Sequence, residues 1–201
     1  MWEVHFCVPQ NFLSLKENNQ FRTSQLREAA NVIGNFRTTT KQTMNNSKIS
    51  IRLSKLSDLT EMQKMFVDTI STICKDDYSP EQIKGWTSSI ENTQRWTDKL
   101  TSQYFLVAEL DNKIVGYASL ENNDYFDFLY VHKDYQRQGI ADRLYSEIEK
   151  EAINSKATVL NSDVSETARR FFEKKGFKTI APQKNIIKDV EIVNYKMTKT
   201  L

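Results

Sequence analysis

The sequence predicts an α/β (α+β) domain, in which strands and helices share one core. The first observation is a change of period within residues 125–152, where the alternation typical of a strand gives way to helical spacing. The second is a pair of apolar runs within residues 103–120, joined by a short polar turn, which predicts a β-hairpin. The third is a closing pair of strand-like runs, residues 177–180 and 190–197, which we expect to form a hairpin through residues 183–189.

Residues 125–131 predict the central strand, because aromatic and β-branched side chains suit a buried, pleated surface. Strict alternation places three aromatic side chains on one face, namely Phe126, Phe128 and Tyr130. The opposite face is then predicted to carry the four remaining side chains, namely Tyr125, Asp127, Leu129 and Val131. Asp127 interrupts an otherwise uncharged strand, which makes it a candidate for chemistry.

A short loop with one glycine leads from this strand into a helix, in which Ile140, Leu144 and Ile148 recur every four residues. The first N–H groups of a helix have no partner within it, and the helix dipole adds partial positive charge, so such an end attracts phosphate. Gly139 lets the backbone approach a ligand closely, and Arg137 adds a full positive charge. On the loop alone, an ordinary strand-to-helix turn and a phosphate-binding turn both fit the sequence.

Two short motifs stand in order in the second half of the chain. Residues 136–141 read Gln-Arg-Gln-Gly-Ile-Ala, and residues 168–177 read Ala-Arg-Arg-Phe-Phe-Glu-Lys-Lys-Gly-Phe. They resemble the Q/R-x-x-G-x-G/A and A-x-x-[FL]-[YF]-E-K-x-G-F signatures of the GNAT (GCN5-related) N-acetyltransferase family. The resemblance covers roughly residues 49–201. It implies the acyl-CoA N-acyltransferase fold, with a central, mostly antiparallel mixed sheet flanked by helices, and direct acetyl transfer from acetyl-CoA to a primary amine.

The resemblance also implies which residues hold acetyl-CoA, which is the acyl donor and the expected cofactor. Backbone N–H groups of residues 136–141 would bind its pyrophosphate. The strand before them would align the pantetheine arm and polarise the thioester carbonyl, and two phenylalanines of the second motif would pack against the cofactor. The complete expected set is Leu129, Tyr130, Val131, Gln136, Arg137, Gln138, Gly139, Ile140, Ala141, Phe171 and Phe172.

Asp127 is the candidate for removing a proton from the acceptor, because it falls where many members of the family place a catalytic glutamate. A lysine-type amine has a pKa of about 10.4 and needs a base at neutral pH. The alternative is a structural carboxylate bonded to neighbouring groups. Phe172 occupies the position of the tyrosine that often protonates the leaving thiolate. Tyr135, Tyr145 or Tyr195 could take that role, and the sequence selects none of them.

Tyr78 and Trp86 are the candidates for the acceptor pocket. Between them, Ser79, Pro80 and Gln82 form a helix-entry signal with a capping box, and the resemblance places the acceptor site near this helix. A tryptophan at helical spacing is also typical of a core. A pocket wall and a core residue are therefore both open interpretations of these two side chains.

Composition narrows the class of protein. The chain has 201 residues with 28 basic and 26 acidic side chains, a balance that argues against nucleic-acid binding. No apolar run is long enough to span a membrane. The two cysteines and two histidines lack metal-site spacing, so we expect no metal, and two isolated cysteines fit the cytoplasm.

Two functions are open at this point: an active N-acetyltransferase and a catalytically silent acetyl-CoA-binding regulatory module. The acceptor of an active enzyme could be a small-molecule amine or a protein or peptide amine. Exposed closing strands could pair two copies into a homodimer.

Residues 1–47 differ from the rest, with many Asn, Gln, Ser and Thr residues, and predict a poorly ordered N-terminal extension. A start at Met44 and a partner-binding arm are the alternatives. Residues 48–201 are predicted to form the N-acetyltransferase domain.

Overall fold

The computed structural model describes residues 49–201, which build one seven-stranded sheet with helices on both faces. The strands are β1 (Ser50–Leu53), β2 (Tyr104–Leu110), β3 (Lys113–Glu121), β4 (Tyr125–Val131), β5 (Val159–Ser165), β6 (Lys178–Ile187) and β7 (Val190–Thr200). The helices are α1 (Leu59–Ile73), α2 (Pro80–Thr87), α3 (Thr93–Ser102), α4 (Ile140–Asn154) and α5 (Glu166–Lys174). The predicted extension at residues 1–47, the Met44 start and Cys7 lie outside the described residues.

The sheet runs in the order β1-β2-β3-β4-β5-β7-β6. Every neighbouring pair is antiparallel except β4 and β5, which run parallel and pair at one position, Tyr125 with Asn161. This confirms the expected mostly antiparallel mixed sheet. Beyond that single pair, β4 and β5 separate and leave a gap in the middle of the sheet.

The predicted capping box and hairpin turn are confirmed, and a serine cap is found at a further helix. The Ser79 hydroxyl accepts a hydrogen bond from the Gln82 N–H, and the Gln82 side chain accepts one from the Ser79 N–H, which completes the capping box of α2. Ser165 caps α5 by accepting from the Ala168 N–H at 3.2 Å. Asp111 and Asn112 both have positive φ and form the tight turn between β2 and β3.

Two apolar clusters form the core, one on each face of the sheet. The first cluster packs α4 and α5 against the sheet through residues such as Leu144, Ile148 and Phe172. The second packs α1, α2 and α3 through residues such as Phe66 and Trp96, whose rings lie 5.3 Å apart. Each large side chain removed from water in this way contributes roughly 1.5–3 kcal/mol to stability.

A β-bulge in β4 overturns the strict alternation expected for this strand. Leu120 of β3 pairs with Phe126, and the preceding Ser119 pairs with Phe128, so Asp127 is an extra residue. Phe126 therefore belongs to the first cluster, while Phe128 belongs to the second. Asp127 points to the second-cluster side, towards α3. The predicted grouping of Phe126 with Phe128 was wrong, because periodicity alone cannot reveal an inserted residue.

The closing hairpin also differs from the expectation. The sequence predicted a loop at residues 183–189, but β6 continues to Ile187 and the turn contains only Lys188 and Asp189, both at positive φ. Polar residues continue through β6 because it is an edge strand with alternating burial, and an edge strand also tolerates Pro182. No helix within residues 49–201 is long and apolar enough to cross a membrane.

Candidate functional site

The gap between β4 and β5 exposes backbone groups of β4. The His132 N–H donates to the Val115 carbonyl of β3 at 2.9 Å. Successive residues of a strand direct their peptide groups to opposite sides, so those of Val131 and Leu129 point into the gap. The Val131 carbonyl accepts from the Gln136 side-chain amide at 2.6 Å. The two N–H groups, for which β5 supplies no strand partner, are positioned to bind an extended ligand.

The loop after β4 adopts the conformation that a helix N-terminal anion site requires. Gly139 has φ of 75° at the N-cap of α4, and Arg137 has φ of 61°. A Cβ at Gly139 would meet no atom within 4 Å, so the space beside this glycine is open. The first N–H groups of α4 face this space without partners inside the helix.

A cavity of about 260 Å³ lies at this helix end. Three cationic side chains line it, Arg137, Lys174 and Lys175, together with one carboxylate, Asp142. Lys175 Nζ lies 2.7 Å from Asp142 Oδ1 and 5.4 Å from the centre of the Phe171 ring. Positive charge, free helix N–H groups and an aromatic wall together suit a phosphate-bearing ligand.

Most of the expected cofactor residues meet around this cavity and the gap beside it. Val131, Arg137, Gly139, Ile140, Ala141 and Phe171 line the cavity. Leu129 and Tyr130 lie on β4 at the gap, Gln138 is in the exposed loop, and the Gln136 side chain ties that loop to β4.

Phe172 is not among the residues that line this cavity. It is fully buried in the first cluster, with ring centres 5.0 Å from Phe177 and 5.5 Å from Phe126. Lys174 and Lys175, which line the cavity, were not predicted from the sequence to be site residues. They stand three and four residues after Phe171, and that helical spacing could have placed all three on one face.

Asp127 is fully buried on the second-cluster side, where α3 covers β4. Its Oδ2 accepts hydrogen bonds from Lys99 Nζ at 2.5 Å and from Gln103 Nε2 at 2.7 Å. Ser119 Oγ donates to Gln103 Oε1 at 2.6 Å, which orients the Gln103 amide. Asp127 Oδ1, by contrast, has no hydrogen-bond partner among the described residues.

A second buried carboxylate, Asp163, lies on β5 next to this group. Its Oδ2 accepts from Gln183 Nε2 at 2.6 Å. The Tyr125 hydroxyl lies beside it, and the two carboxylates together with burial raise the pKa of this phenol far above its usual range. These contacts join five polar side chains into one cluster, namely Tyr125, Asp127, Asp163, Lys99 and Gln103. Sequence reasoning found only Asp127 of this group.

The structure places Tyr78 and Trp86 in the second cluster, with ring centres 5.3 Å apart. The Tyr78 hydroxyl donates to the Val193 carbonyl at 3.1 Å and accepts from the Glu166 N–H at 2.9 Å. Tyr78 therefore joins α2 to β7 and to the start of α5. Both side chains are almost completely buried, so their contacts are those of a core bordering the site.

The three tyrosines that could replace a general acid lie in different surroundings. The Tyr145 hydroxyl donates to Glu149 at 2.6 Å, and burial raises its pKa. Tyr135 packs edge-on against His132, and Tyr195 lies under the Arg169 guanidinium, 4.6 Å from ring centre to Cζ. None of these contacts brings the three hydroxyls together with Asp127.

The chain is similar to known proteins in sequence and in fold. A family model described as "Acetyltransferase (GNAT) domain" matches residues 74–201. The uncharacterized N-acetyltransferase YafP of Escherichia coli (strain K12) is 32% identical over 154 residues, which are 77% of this chain and 96% of YafP.

Solved structures share the same architecture. A GCN5-related N-acetyltransferase from Rhodopseudomonas palustris has a TM-score of 0.74 and 33% identity, over 77% of this chain and 97% of its own. The PaiA N-acetyltransferase of Thermoplasma acidophilum, solved in complex with coenzyme A, has a TM-score of 0.63 and 20% identity, over 77% and 99% of the two chains. The latter likeness concerns the fold alone.

Proposed function

The chain belongs to the GNAT family and is an acetyl-CoA-dependent acyltransferase, and on that premise we propose that it acetylates a primary amine by direct transfer. One observation carries the proposal. The peptide groups of β4 open into the gap beside a cationic cavity, and the opposite face of the same strand carries a buried carboxylate with a free oxygen. Acetyl-CoA in the gap and the amine at the carboxylate would thus both lie against β4.

Acetyl-CoA, the acyl donor, would occupy the cavity with its pyrophosphate and the gap with its pantetheine arm. The pyrophosphate would lie against the N-terminal N–H groups of α4 and the cations Arg137, Lys174 and Lys175. The pantetheine arm would extend along β4, where the N–H groups of Leu129 and Val131 are available. A strand N–H aimed at the thioester oxygen would stabilise the charge that develops there during attack. The coenzyme A complex of the Thermoplasma relative is consistent with this assignment.

The transfer would consume one amine and one thioester. A protonated amine first loses one proton to a base, and its nitrogen then attacks the thioester carbonyl carbon to form a C–N bond. The C–S bond breaks, the thiolate leaves with the electron pair, and the second amine proton ends on the thiol. The net products are an amide, free coenzyme A and one proton. A thiol pKa of about 8.5 makes the thiolate an acceptable leaving group without a tyrosine acid.

Asp127 would be the base that contacts the amine. Lys99 and Gln103 hold its Oδ2, so its partnerless Oδ1 is the oxygen free to accept an amine N–H. We expect Asp127→Asn to lower turnover about tenfold or more while acetyl-CoA binding persists, since general base catalysis contributes this much or more. Unchanged turnover would leave Asp127 with a structural role only.

The acceptor is a small-molecule amine or a protein or peptide amine. We expect the enzyme to work in the cytoplasm, because a chain of this size with only two cysteines, far apart in the sequence, is typical of a reducing compartment. A homodimer would use the free edge of β6, where Ile180 and Ile186 are exposed. Light scattering on the purified chain tests this arrangement, and a monomer at every concentration would exclude it.

Thiol release from acetyl-CoA with a panel of primary amines tests the activity. Intact-mass analysis after exposure to acetyl-CoA alone tests direct transfer, which leaves the protein unacetylated. An acetyl-protein that forms and then decays on amine addition would contradict direct transfer. Thermal stabilisation by acetyl-CoA without turnover on any amine would instead identify the silent binding module.

A further inference from the structure

Asp163 is a buried carboxylate for which the transfer chemistry above has no role. It lies on β5 and is 4% exposed. Leu160 and Val164 of the same strand belong to the first cluster, so alternation directs Asp163 to the other face, where Asp127 lies. β4 and β5 pair just before these positions, at Tyr125 and Asn161. The two carboxylates therefore stand on neighbouring strands where the gap begins.

The two carboxylates have opposite surroundings. Asp127 is paired with the Lys99 ammonium, and the Arg95 guanidinium also interacts with it electrostatically. Asp163 accepts its hydrogen bond from a neutral amide, that of Gln183, and forms no ion pair within 4.0 Å among residues 49–201. Within the described part of the chain, Asp163 is therefore the carboxylate of the two that has no cationic side chain bonded to it.

We infer that Asp127 and Asp163 act as a pair in which Asp127 contacts the acceptor amine and Asp163 keeps the proton that the amine loses. This inference rests on the proposed function and deepens it. The Tyr125 hydroxyl is buried, has no hydrogen-bond partner among residues 49–201 and interacts electrostatically with both carboxylates, and it is the group assigned to pass the proton between them. One proton moves from the ammonium to Asp127 Oδ1 and then to Asp163, and it reaches solvent before the next cycle.

The electrostatics of the pocket agree with this geometry. Burial raises the pKa of Asp163, and the negative charge of Asp127 adds to that shift. The Gln183 hydrogen bond, Lys196 across from it on β7 and the Tyr125 hydroxyl act in the opposite direction. A carboxyl that holds its proton closer to neutral pH is a better general base at the working pH.

Two further atoms indicate that a polar ligand completes this region. Asp127 Oδ1 and Asn194 Oδ1 are both buried without a hydrogen-bond partner within the described residues. Asn194 lies opposite Ser165, two residues beyond Asp163 on the same face of the sheet. Buried polar atoms rarely stay unpaired, and an amine supplies the N–H donors that both oxygens lack.

The test uses the full chain and compares wild type, Asp163→Asn and Tyr125→Phe, with Asp98→Asn as the control. Asp98 is an exposed carboxylate on α3, bonded to Gln94, so its change to an amide leaves the site intact. The acceptors are spermidine, N-α-acetyl-L-lysine amide and L-alaninamide. Thiol release at saturating amine is followed from about pH 6 to about pH 9, a range that includes the α-amine pKa of about 7.7–8.0.

We expect Asp163→Asn to lower kcat about tenfold near pH 7 and to lower it much less at the alkaline end, where less of the amine requires a base. Tyr125→Phe should lower kcat by a smaller factor, with the same dependence on pH. Asp98→Asn should match wild type. Acetyl-CoA affinity and the melting temperature of Asp163→Asn should not fall, because the change removes a buried charge.

The other possible outcomes contradict either the carboxylate pair or the proposed function. An active wild type with normal kcat and pH profile in both Asp163→Asn and Tyr125→Phe overturns the pair and leaves the proposed function standing. A loss that is equal at every pH, with a lower melting temperature, identifies Asp163 as structural and also overturns the pair. A wild type that binds acetyl-CoA but acetylates none of the three amines or any wider panel overturns the proposed function itself.

Discussion

Lys99 Nζ lies 2.5 Å from Asp127 Oδ2, and the lysine side chain is 12% exposed while the aspartate side chain is fully buried. This pair joins α3 to the bulge of β4. An ion pair taken out of water is stable only as a pair, since either charge alone would be buried without compensation. The pair therefore both supports the fold and orients the free oxygen of Asp127.

Removing the lysine should destabilise the domain. We expect Lys99→Met to lower the free energy of unfolding by about 3 kcal/mol, the lower end of the range for a broken buried pair, because Asp127 would lose its bonded cation and keep only the electrostatic interaction with Arg95. Urea unfolding measures the loss. Adding Asp127→Asn in the same chain should recover much of it, since an amide carries no charge. Lys64→Met is the matched control, because its pair with Asp68 is exposed and should matter by less than about 1 kcal/mol.

The backbone conformation of Gly139, rather than the space around it, should limit substitution there. A Cβ would meet no neighbour, but φ is 75°. An alanine in this left-handed region costs about 1–2 kcal/mol, so we expect Gly139→Ala to weaken acetyl-CoA binding about tenfold. Asparagine tolerates this region better, so Gly139→Asn should bind more tightly than Gly139→Ala. Calorimetry with acetyl-CoA measures both, and equal affinities for the two variants would contradict this account.

At Gly116, by contrast, the lack of space should limit substitution. A Cβ there would lie 2.8 Å from Ile140 Cγ2 and 3.0 Å from Leu144 Cδ1. We expect Gly116→Ala to push the start of α4 away from β3, to cost about 1–3 kcal/mol of stability, and to weaken acetyl-CoA binding. Thermal unfolding and calorimetry report the two effects.

A double variant checks that α4 causes the Gly116 effect. Ile140→Ala removes the nearest methyl group, so the two substitutions should couple, with Gly116→Ala doing less harm in the Ile140→Ala chain than in wild type. Additive losses would show that the clash with α4 does not explain the defect.

His132 should make the domain less stable in mild acid. Burial lowers the pKa of His132, and Lys113 and Lys133 lower it further, while Asp134 and Asp68 act against them. Its Nδ1 accepts the Asp134 N–H at 3.2 Å, which requires a neutral ring. Below the usual histidine value of 6.5 the unfolded chain binds more protons than the folded one, so stability falls as pH falls from there to the lowered folded pKa.

The pH dependence of unfolding tests this sign. We expect the free energy of unfolding of wild type to decrease as the pH falls below the ordinary histidine value of 6.5. In His132→Gln that decrease should be smaller, because glutamine does not titrate. Curves of identical slope for the two proteins would mean that His132 contributes nothing to the acid response.

Caps and tight turns could be predicted from the sequence because each depends on residues that are close together in the chain. The capping box of Ser79 and Gln82 and the turn at Asp111 each involve residues within three or four positions. The short loop that ends in Gly139 is equally local. The sequence motifs that led to the family depend on such local segments, and for that reason the family and its cofactor loop could be recognised before the structure was known.

The sequence alone determined the class of fold, the family and the strand-loop-helix unit, because a period, a cap or a short motif lies within one segment. Tertiary structure decided what Asp127 contacts. Its partner Lys99 is 28 residues away, the bulge that turns it towards α3 arises from pairing with β3, and Asp163 reaches its side only through the sheet. Contacts between distant segments leave no periodic trace, so only packing could reveal which carboxylate is paired and which oxygen is free.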